Sequence, residues 1–168
     1  SEGDARITMT VLSVNLNKVA LIRNSRDTTS PSPVEFAAAA FAAGAGGITV
    51  HPRPDQRHIR VSDCLALAQS VDVEFNIEGN PFNIERGSFR GYENLVSDIK
   101  PYQATLVPDK EDQITSDHGW LRGGHDDELK LIIGRLRKDC KFVSMFIDAN
   151  IESVDYALEM GANAVEIY

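Results

Sequence analysis

Val73-Glu74-Phe75-Asn76-Ile77-Glu78 alternates apolar and polar residues without a break. Side chains along a strand point to opposite faces with a period of two. Val73, Phe75 and Ile77 therefore share one face, and Glu74, Asn76 and Glu78 the other. Val165-Glu166-Ile167-Tyr168 repeats the pattern. The polar face also gathers Ser13, Asn15, Thr49 and His51 from two earlier apolar segments. A parallel sheet with helices on both faces needs nearly continuous apolar strands. In a doubly wound fold this polar row would lie under a second helix layer, which is costly for every unpaired charge. In a barrel it faces the lumen and the C-terminal mouth, where βα loops build active sites. The pattern predicts an α/β fold of the TIM (β/α)8 barrel type.

Working outward, apolar segments predict strands over 11–16, 47–51, 72–77, 102–107, 141–147 and 163–168. Helical segments over 33–43, 62–70, 89–99, 125–138 and 150–160 alternate with them, as βα units of a parallel sheet do. Ser32-Pro33-Val34-Glu35 has the N-cap serine, first-turn proline and N3 glutamate of a helix start. Gly44 and Gly161 are placed to stop helices. Gly44-Ala45-Gly46-Gly47-Ile48-Thr49-Val50-His51 resembles Gly161-Ala162-Asn163-Ala164-Val165-Glu166-Ile167-Tyr168, each a helix stop, a turn and a strand. About six of eight βα units are accounted for. Residues 9–168 are thus expected to be the N-terminal two-thirds of a single barrel domain. Residues 1–8, ahead of Met9-Thr10, are read as a leader or added residues.

The 168 residues are 42% hydrophobic and 25% charged, enough apolar chain for a sizeable core and unlike a disordered tail. A net charge of −8 and a pI near 4.9 argue against a basic nucleic-acid binder or an anionic-membrane binder. No apolar run approaches the roughly 20 residues of a spanning helix. Cys64 and Cys140 form no CxxC or disulfide framework and are read as inert, and a reducing cytoplasm is the expected location.

The charge is uneven. Residues 15–60 hold Lys18, Arg23, Arg26, Arg53, Arg57 and Arg60 against Asp27, Glu35 and Asp55, a net +3. These bases follow the first two strands and are expected at one rim, where they suit a small phosphorylated anion. A scattered solvated surface is the plainer alternative. His51 ends a strand and leads into Pro52-Arg53-Pro54-Asp55-Gln56-Arg57-His58. A histidine there suits proton transfer, although a structural hydrogen bond is the commoner use. Glu78 ends the next strand and can serve as a base beside it; the alternative is an ordinary loop glutamate. Glu166 points inward and needs a cation or donor as partner. No metal-ligand spacing is present, and His118 and His125 read as loop residues. Asp148-Ala149-Asn150 reads as a helix cap. Trp120 is either a lid anchor or a packed surface aromatic.

Ser13-Val14-Asn15-Leu16-Asn17-Lys18, Arg23-Asn24-Ser25-Arg26, Gly47-Ile48-Thr49-Val50-His51-Pro52-Arg53, Asp55-Gln56-Arg57-His58-Ile59, Asn76-Ile77-Glu78, Ala104-Thr105-Leu106-Val107-Pro108 and Phe146-Ile147-Asp148 together resemble the pyridoxine 5′-phosphate synthase family. The resemblance runs in order from about residue 11 to the end. It implies a TIM barrel, usually a homo-octamer. It also implies a vitamin B6 ring-closing transferase, condensing 1-deoxy-D-xylulose 5-phosphate with 3-amino-2-oxopropyl phosphate. Inorganic phosphate and water are released, and no metal or cofactor is used. It implies acid/base roles for His51 and Glu78 and transition-state stabilisation by Glu166. It places the amino ketone phosphate on Asn15 and Arg26. It places the ketose phosphate near Asn17, Lys18, Arg53, His58 and Thr115. Many members carry Asp-His where this chain has Asn17-Lys18. The family's third catalytic histidine and second phosphate loop lie beyond the sixth strand. A non-catalytic phosphosugar-binding relative, or another phosphate-handling barrel enzyme, is the alternative.

Overall fold

A computed structural model of the chain describes residues 10–26, 28–110 and 112–168. The leader expected over 1–8 lies outside them. Six strands form one parallel sheet: β1 (Ser13–Asn15), β2 (Gly47–Val50), β3 (Glu74–Gly79), β6 (Gln103–Leu106), β7 (Phe142–Ile147) and β8 (Ala164–Ile167). A two-stranded antiparallel hairpin, β4 (Glu85–Arg86) with β5 (Phe89–Arg90), lies between β3 and the next helix. The helices are α1 (Asn17–Asn24), α2 (Pro33–Ala42), α3 (Val61–Ser70), α4 (Tyr92–Ile99), α5 (Asp126–Leu136) and α6 (Ile151–Met160).

The order of strands in the sheet is their order in the chain. A doubly wound sheet reverses its order at a switch point, whereas a barrel wall never does. The six strands are a half-barrel, with β1 and β8 at its two ends.

One face of the sheet carries Ile48, Val50, Phe75, Ile77, Ala104, Leu106, Val143, Met145 and Ile147, all buried in one cluster with Leu67, Leu95, Leu129, Ile133, Tyr156 and Met160 of the helices. The other face carries the polar row. There Ser13 Oγ lies 2.9 Å from Thr49 Oγ1, Asn76 Nδ2 donates to Thr49 Oγ1, and Thr105 Oγ1 donates to Asn76 Oδ1 at 3.0 Å. Register makes this possible: Asn15 faces Thr49, Thr49 faces Asn76, and Asn76 faces Gln103 on successive strands. A chain of mutually satisfied hydroxyls and amides removes most of the desolvation cost of a polar lumen.

Local chemistry sets the helix ends. Ser32 caps α2 by accepting from Glu35 N, and Asn150 caps α6 by accepting from Ser153 N at 2.8 Å. Gly161 ends α6 at φ +92, a conformation that favours glycine. Gly79 serves a different need. A Cβ there would stand 2.5 Å from the Tyr92 ring, whose hydroxyl reaches the carbonyls of Ile77 and Thr105. Two elements depart from the sequence reading. Residues 17–24 form α1, which was not predicted, and residues 89–90 pair in the hairpin, so that α4 begins at Tyr92 rather than 89. The two cysteines are buried free thiols, and burial pushes both up, Cys140 to about 12.

Candidate active site

A cavity of about 540 Å³ opens at the C-terminal end of the strands. This falls within the usual range for small-molecule sites. Of the ten residues singled out in the sequence, nine line it: Asn15, Asn17, Lys18, His51, Arg53, His58, Glu78, Thr115 and Glu166. Each comes from a strand end or from the loop or helix that follows. The exception is Arg26, exposed just beyond α1 and outside the lining.

The expected rim of six bases divides. Lys18, Arg53 and Arg57 line the cavity. Arg23 does not. It is buried and forms a bidentate pair with Asp63, at 2.6 and 2.9 Å, while also donating to the His58 carbonyl. Asp63 Oδ2 accepts from Arg60 N as well, closing the start of α3. Arg23 therefore ties α1, the loop after β2 and α3 together, and holds the His58 backbone in place.

Asn17 is the hinge between β1 and β2. Its Oδ1 accepts from His51 N at 2.8 Å, and its own N donates to Asn15 Oδ1 at 2.9 Å. The first residues of α1 thus stand at the cavity, where a helix N-terminus favours an anion.

His51 is buried, and its Nδ1 lies 3.7 Å from Glu78 Oε2. Burial, with the Arg53 charge next, lowers its pKa to about 3, so the ring is neutral near pH 7. His58 stands edge-on to His51 at 6.3 Å and is lowered to about 4, mainly by burial and then by Arg53 and Arg57. Its Nδ1 accepts from Ile59 N, so the neutral ring carries its proton on Nε2.

The Glu78 and Glu166 carboxyls act on each other directly, with Thr105 beside Glu166. Two carboxylates in contact cannot both be ionised cheaply. Burial raises both, and the Glu166 charge raises Glu78 well above the carboxylate range. Glu166 was expected to meet a cation or a donor; within the chain its neighbours are the Glu78 carboxyl and Thr105. A histidine kept neutral beside a carboxyl whose proton affinity is raised is a pair that can exchange protons in either direction.

One buried group escaped the sequence reading. Asp109, in the loop after β6, places Oδ2 2.7 Å from Arg53 and 3.4 Å from His51 Nε2. It stands at the end of the strand next to β3, a position that could have marked it, but within a run of charges that reads as solvated loop. Trp120 is buried, donating Nε1–H to the Leu106 carbonyl at 2.8 Å and packing on Phe82; it anchors its loop to the sheet. Asp148 accepts from Gly119 N, leaving Asn150 as the cap. No three His, Cys, Asp or Glu side chains converge to hold a metal ion among the described residues, and no helix there is long and apolar enough to cross a membrane.

Comparison with known proteins gives concordant results. A family model described as "Pyridoxal phosphate biosynthesis protein PdxJ" matches residues 12–168. A pyridoxine 5′-phosphate synthase of Xanthomonas axonopodis pv. citri is 48% identical over 162 residues, covering 95% of this chain and 64% of the relative. One from Xylella fastidiosa (strain 9a5c) is 44% identical over 162 residues, covering 95% and 62%. The chain spans somewhat under two-thirds of the length of these relatives. A crystal structure of a thermostable aldo-keto reductase, Tm1743, in complex with the inhibitor epalrestat superposes with a TM-score of 0.56. The match covers 98% of this chain and 60% of that one at 9% identity, a likeness of fold alone.

Proposed function

The chain belongs to the PdxJ family of pyridoxal phosphate biosynthesis proteins, and from that premise we propose that the whole protein is a pyridoxine 5′-phosphate synthase. It condenses 1-deoxy-D-xylulose 5-phosphate with 3-amino-2-oxopropyl phosphate and releases phosphate and water. In this reading residues 9–168 are the N-terminal two-thirds of one barrel domain. The observation that carries the reading is the shared cavity: a buried histidine, a glutamate whose pKa burial raises, and three bases line one mouth of the sheet.

The chemistry explains why such groups are needed. The substrate's own amine attacks the ketone, so no lysine Schiff base is required. Condensation, phosphate loss and ring closure each move protons among carbon, oxygen and nitrogen. His51 Nδ1 accepts a proton and Glu78 returns one to a leaving oxygen, then the two exchange roles. Glu166 shares the Glu78 proton and stabilises the cationic imine. Lys18, Arg53 and His58, with Asn17 and Thr115, hold the ketose phosphate. Asn15 holds the amino ketone phosphate; Arg26, outside the cavity, shares that role on the family resemblance alone. The resemblance also supports a homo-octamer acting without metal or cofactor, and the cysteine usage supports a cytoplasmic location.

The test is direct. The full-length protein, given both phosphorylated substrates, should form pyridoxine 5′-phosphate with one phosphate released per ring, read by chromatography and phosphate assay. Tight binding of the ketose phosphate without turnover would favour a non-catalytic phosphosugar-binding relative instead.

A further inference from the structure

Among the described residues, three buried side-chain polar atoms lack a hydrogen-bond partner: His51 Nε2, Asp109 Oδ1 and Ser144 Oγ. Two of them belong to neighbouring residues, His51 and Asp109, which meet through Asp109 Oδ2. Buried polar atoms are nearly always satisfied, so each exception calls for an explanation. Asp109 is 5% exposed, Arg53 4% and His51 6%, so water does little to relieve the group.

The contact has a defined geometry. Asp109 Oδ2 lies 2.7 Å from an Arg53 terminal nitrogen and 3.4 Å from His51 Nε2. The other Arg53 terminal nitrogen donates to the Gln113 carbonyl at 2.6 Å. Asn80 Nδ2 donates to the Asp109 carbonyl at 2.9 Å, pinning the backbone from the loop after β3. The carboxylate thus touches one proposed acid/base group and one proposed phosphate ligand, from a third element, and does not line the cavity.

We infer that Asp109 is a positioning residue: it holds the His51 ring with the proton on Nε2 and fixes the Arg53 guanidinium, so that His51 Nδ1 is left as the acceptor facing Glu78. This deepens the synthase reading and rests on it for its catalytic meaning. An ionised carboxylate paired with arginine can receive only an N–H at Nε2. The lone pair of a neutral ring is then at Nδ1, 3.7 Å from Glu78 Oε2. When His51 takes up a proton, Asp109 stabilises the imidazolium, and when it gives the proton up, Asp109 restores the same tautomer. The charged and titratable groups around this unit are Lys18 from α1, Arg53, Asp55, Arg57 and His58 from the loop after β2, Glu78 from β3, His118 from the loop after β6, and Glu166 from β8.

The experiment is ring-nitrogen NMR on full-length protein labelled at histidine with ¹⁵N, together with kinetics. In the wild type, His51 should show Nε2–H and no second proton. Its ring shifts should move with a midpoint near pH 6, where Asp109, raised to about 6 chiefly by burial, takes up its proton. An Nδ1–H tautomer, or ring shifts flat between pH 5 and 7, would overturn the inference without any variant. In Asp109→Asn, kcat should fall about 100-fold and the acidic limb of kcat/KM near pH 6 should vanish. Asp109→Glu should recover at least a tenth of the activity. A purely structural carboxylate would lower Tm in Asp109→Asn yet keep the pH limb, and that result also overturns the inference. Absence of product from wild-type protein would remove the synthase reading, while the ring spectra would still decide the role of Asp109.

Discussion

His51 Nδ1 stands 3.7 Å from Glu78 Oε2, across the junction of β2 and β3. The distance is somewhat beyond a hydrogen bond. Register explains the proximity. Val50 pairs with Ile77, so the residues that follow, His51 and Glu78, leave adjacent strands side by side. Period two then turns Glu78 to the same face as Asn76 and Glu74.

If the pair moves protons as proposed, Glu78→Gln removes the transferable proton and keeps the shape. The expected loss in kcat is about 10²- to 10⁴-fold. Affinity for the ketose phosphate, measured by calorimetry, should change little, because the proposed phosphate ligands are Lys18, Arg53 and His58. An unchanged kcat would take Glu78 out of the chemistry.

The Arg23–Asp63 pair makes a prediction about stability rather than activity. It is buried, bidentate and further engaged with the His58 carbonyl and Arg60 N. Asp63→Asn leaves the guanidinium without its counter-charge. Breaking a buried pair from one side costs about 3–5 kcal/mol. The urea midpoint should fall accordingly, and a fall equal to that of an exposed pair such as Arg90–Asp98 would refute the assignment.

Lys18 is exposed on the cavity rim at the start of α1. A lysine can hold a phosphate as a point charge but cannot shuttle protons near pH 7 as a histidine does. Lys18→Ala is therefore expected to raise KM for the ketose phosphate about tenfold and leave kcat nearly constant. Because the contact is exposed, added salt should shrink the difference between variant and wild type. A kcat effect without a KM effect would contradict a binding role.

Legibility in the sequence followed the range of the interactions. The polar row was readable because alternation is local, and Glu78 and Glu166 needed only their immediate neighbours. Helix α1 was not readable. It follows β1 directly, Leu16 stands at its N-cap without a side-chain bond, and its first turn has no acid. The β4–β5 hairpin has strands of two residues, too short for any periodicity. Arg23 was placed on the rim with the other bases because nothing nearby reveals Asp63, a partner on a different helix. Asp109 was hidden for the same reason: its meaning depends on Arg53 and His51, which the sheet brings to it from across β3.

The same burial makes opposing predictions for pH. His51 has a folded pKa near 3 against an ordinary value of 6.5, and His58 one near 4. A lowered histidine pKa means that the unfolded chain binds the proton first. Its stabilising effect is complete above pH 6.5 and is lost as pH falls toward the folded value. Asp109 has the opposite sign. Its folded pKa is near 6 against 3.8, so the folded state binds the proton first, and acid favours folding between those values. The raised carboxyls of Glu78 and Glu166 oppose the histidines over this range, and from pH 6 to 4 Asp109 adds to that opposition. Each group contributes about 1.4 kcal/mol per pH unit within its window. His51→Asn should therefore lose about 2 kcal/mol less than wild type between pH 7 and pH 5, measured by urea unfolding at each pH. Asp109→Asn should lose more than wild type over the same interval. If both variants follow the wild-type slope, the buried unit of His51 and Asp109 is not titrating as the geometry requires.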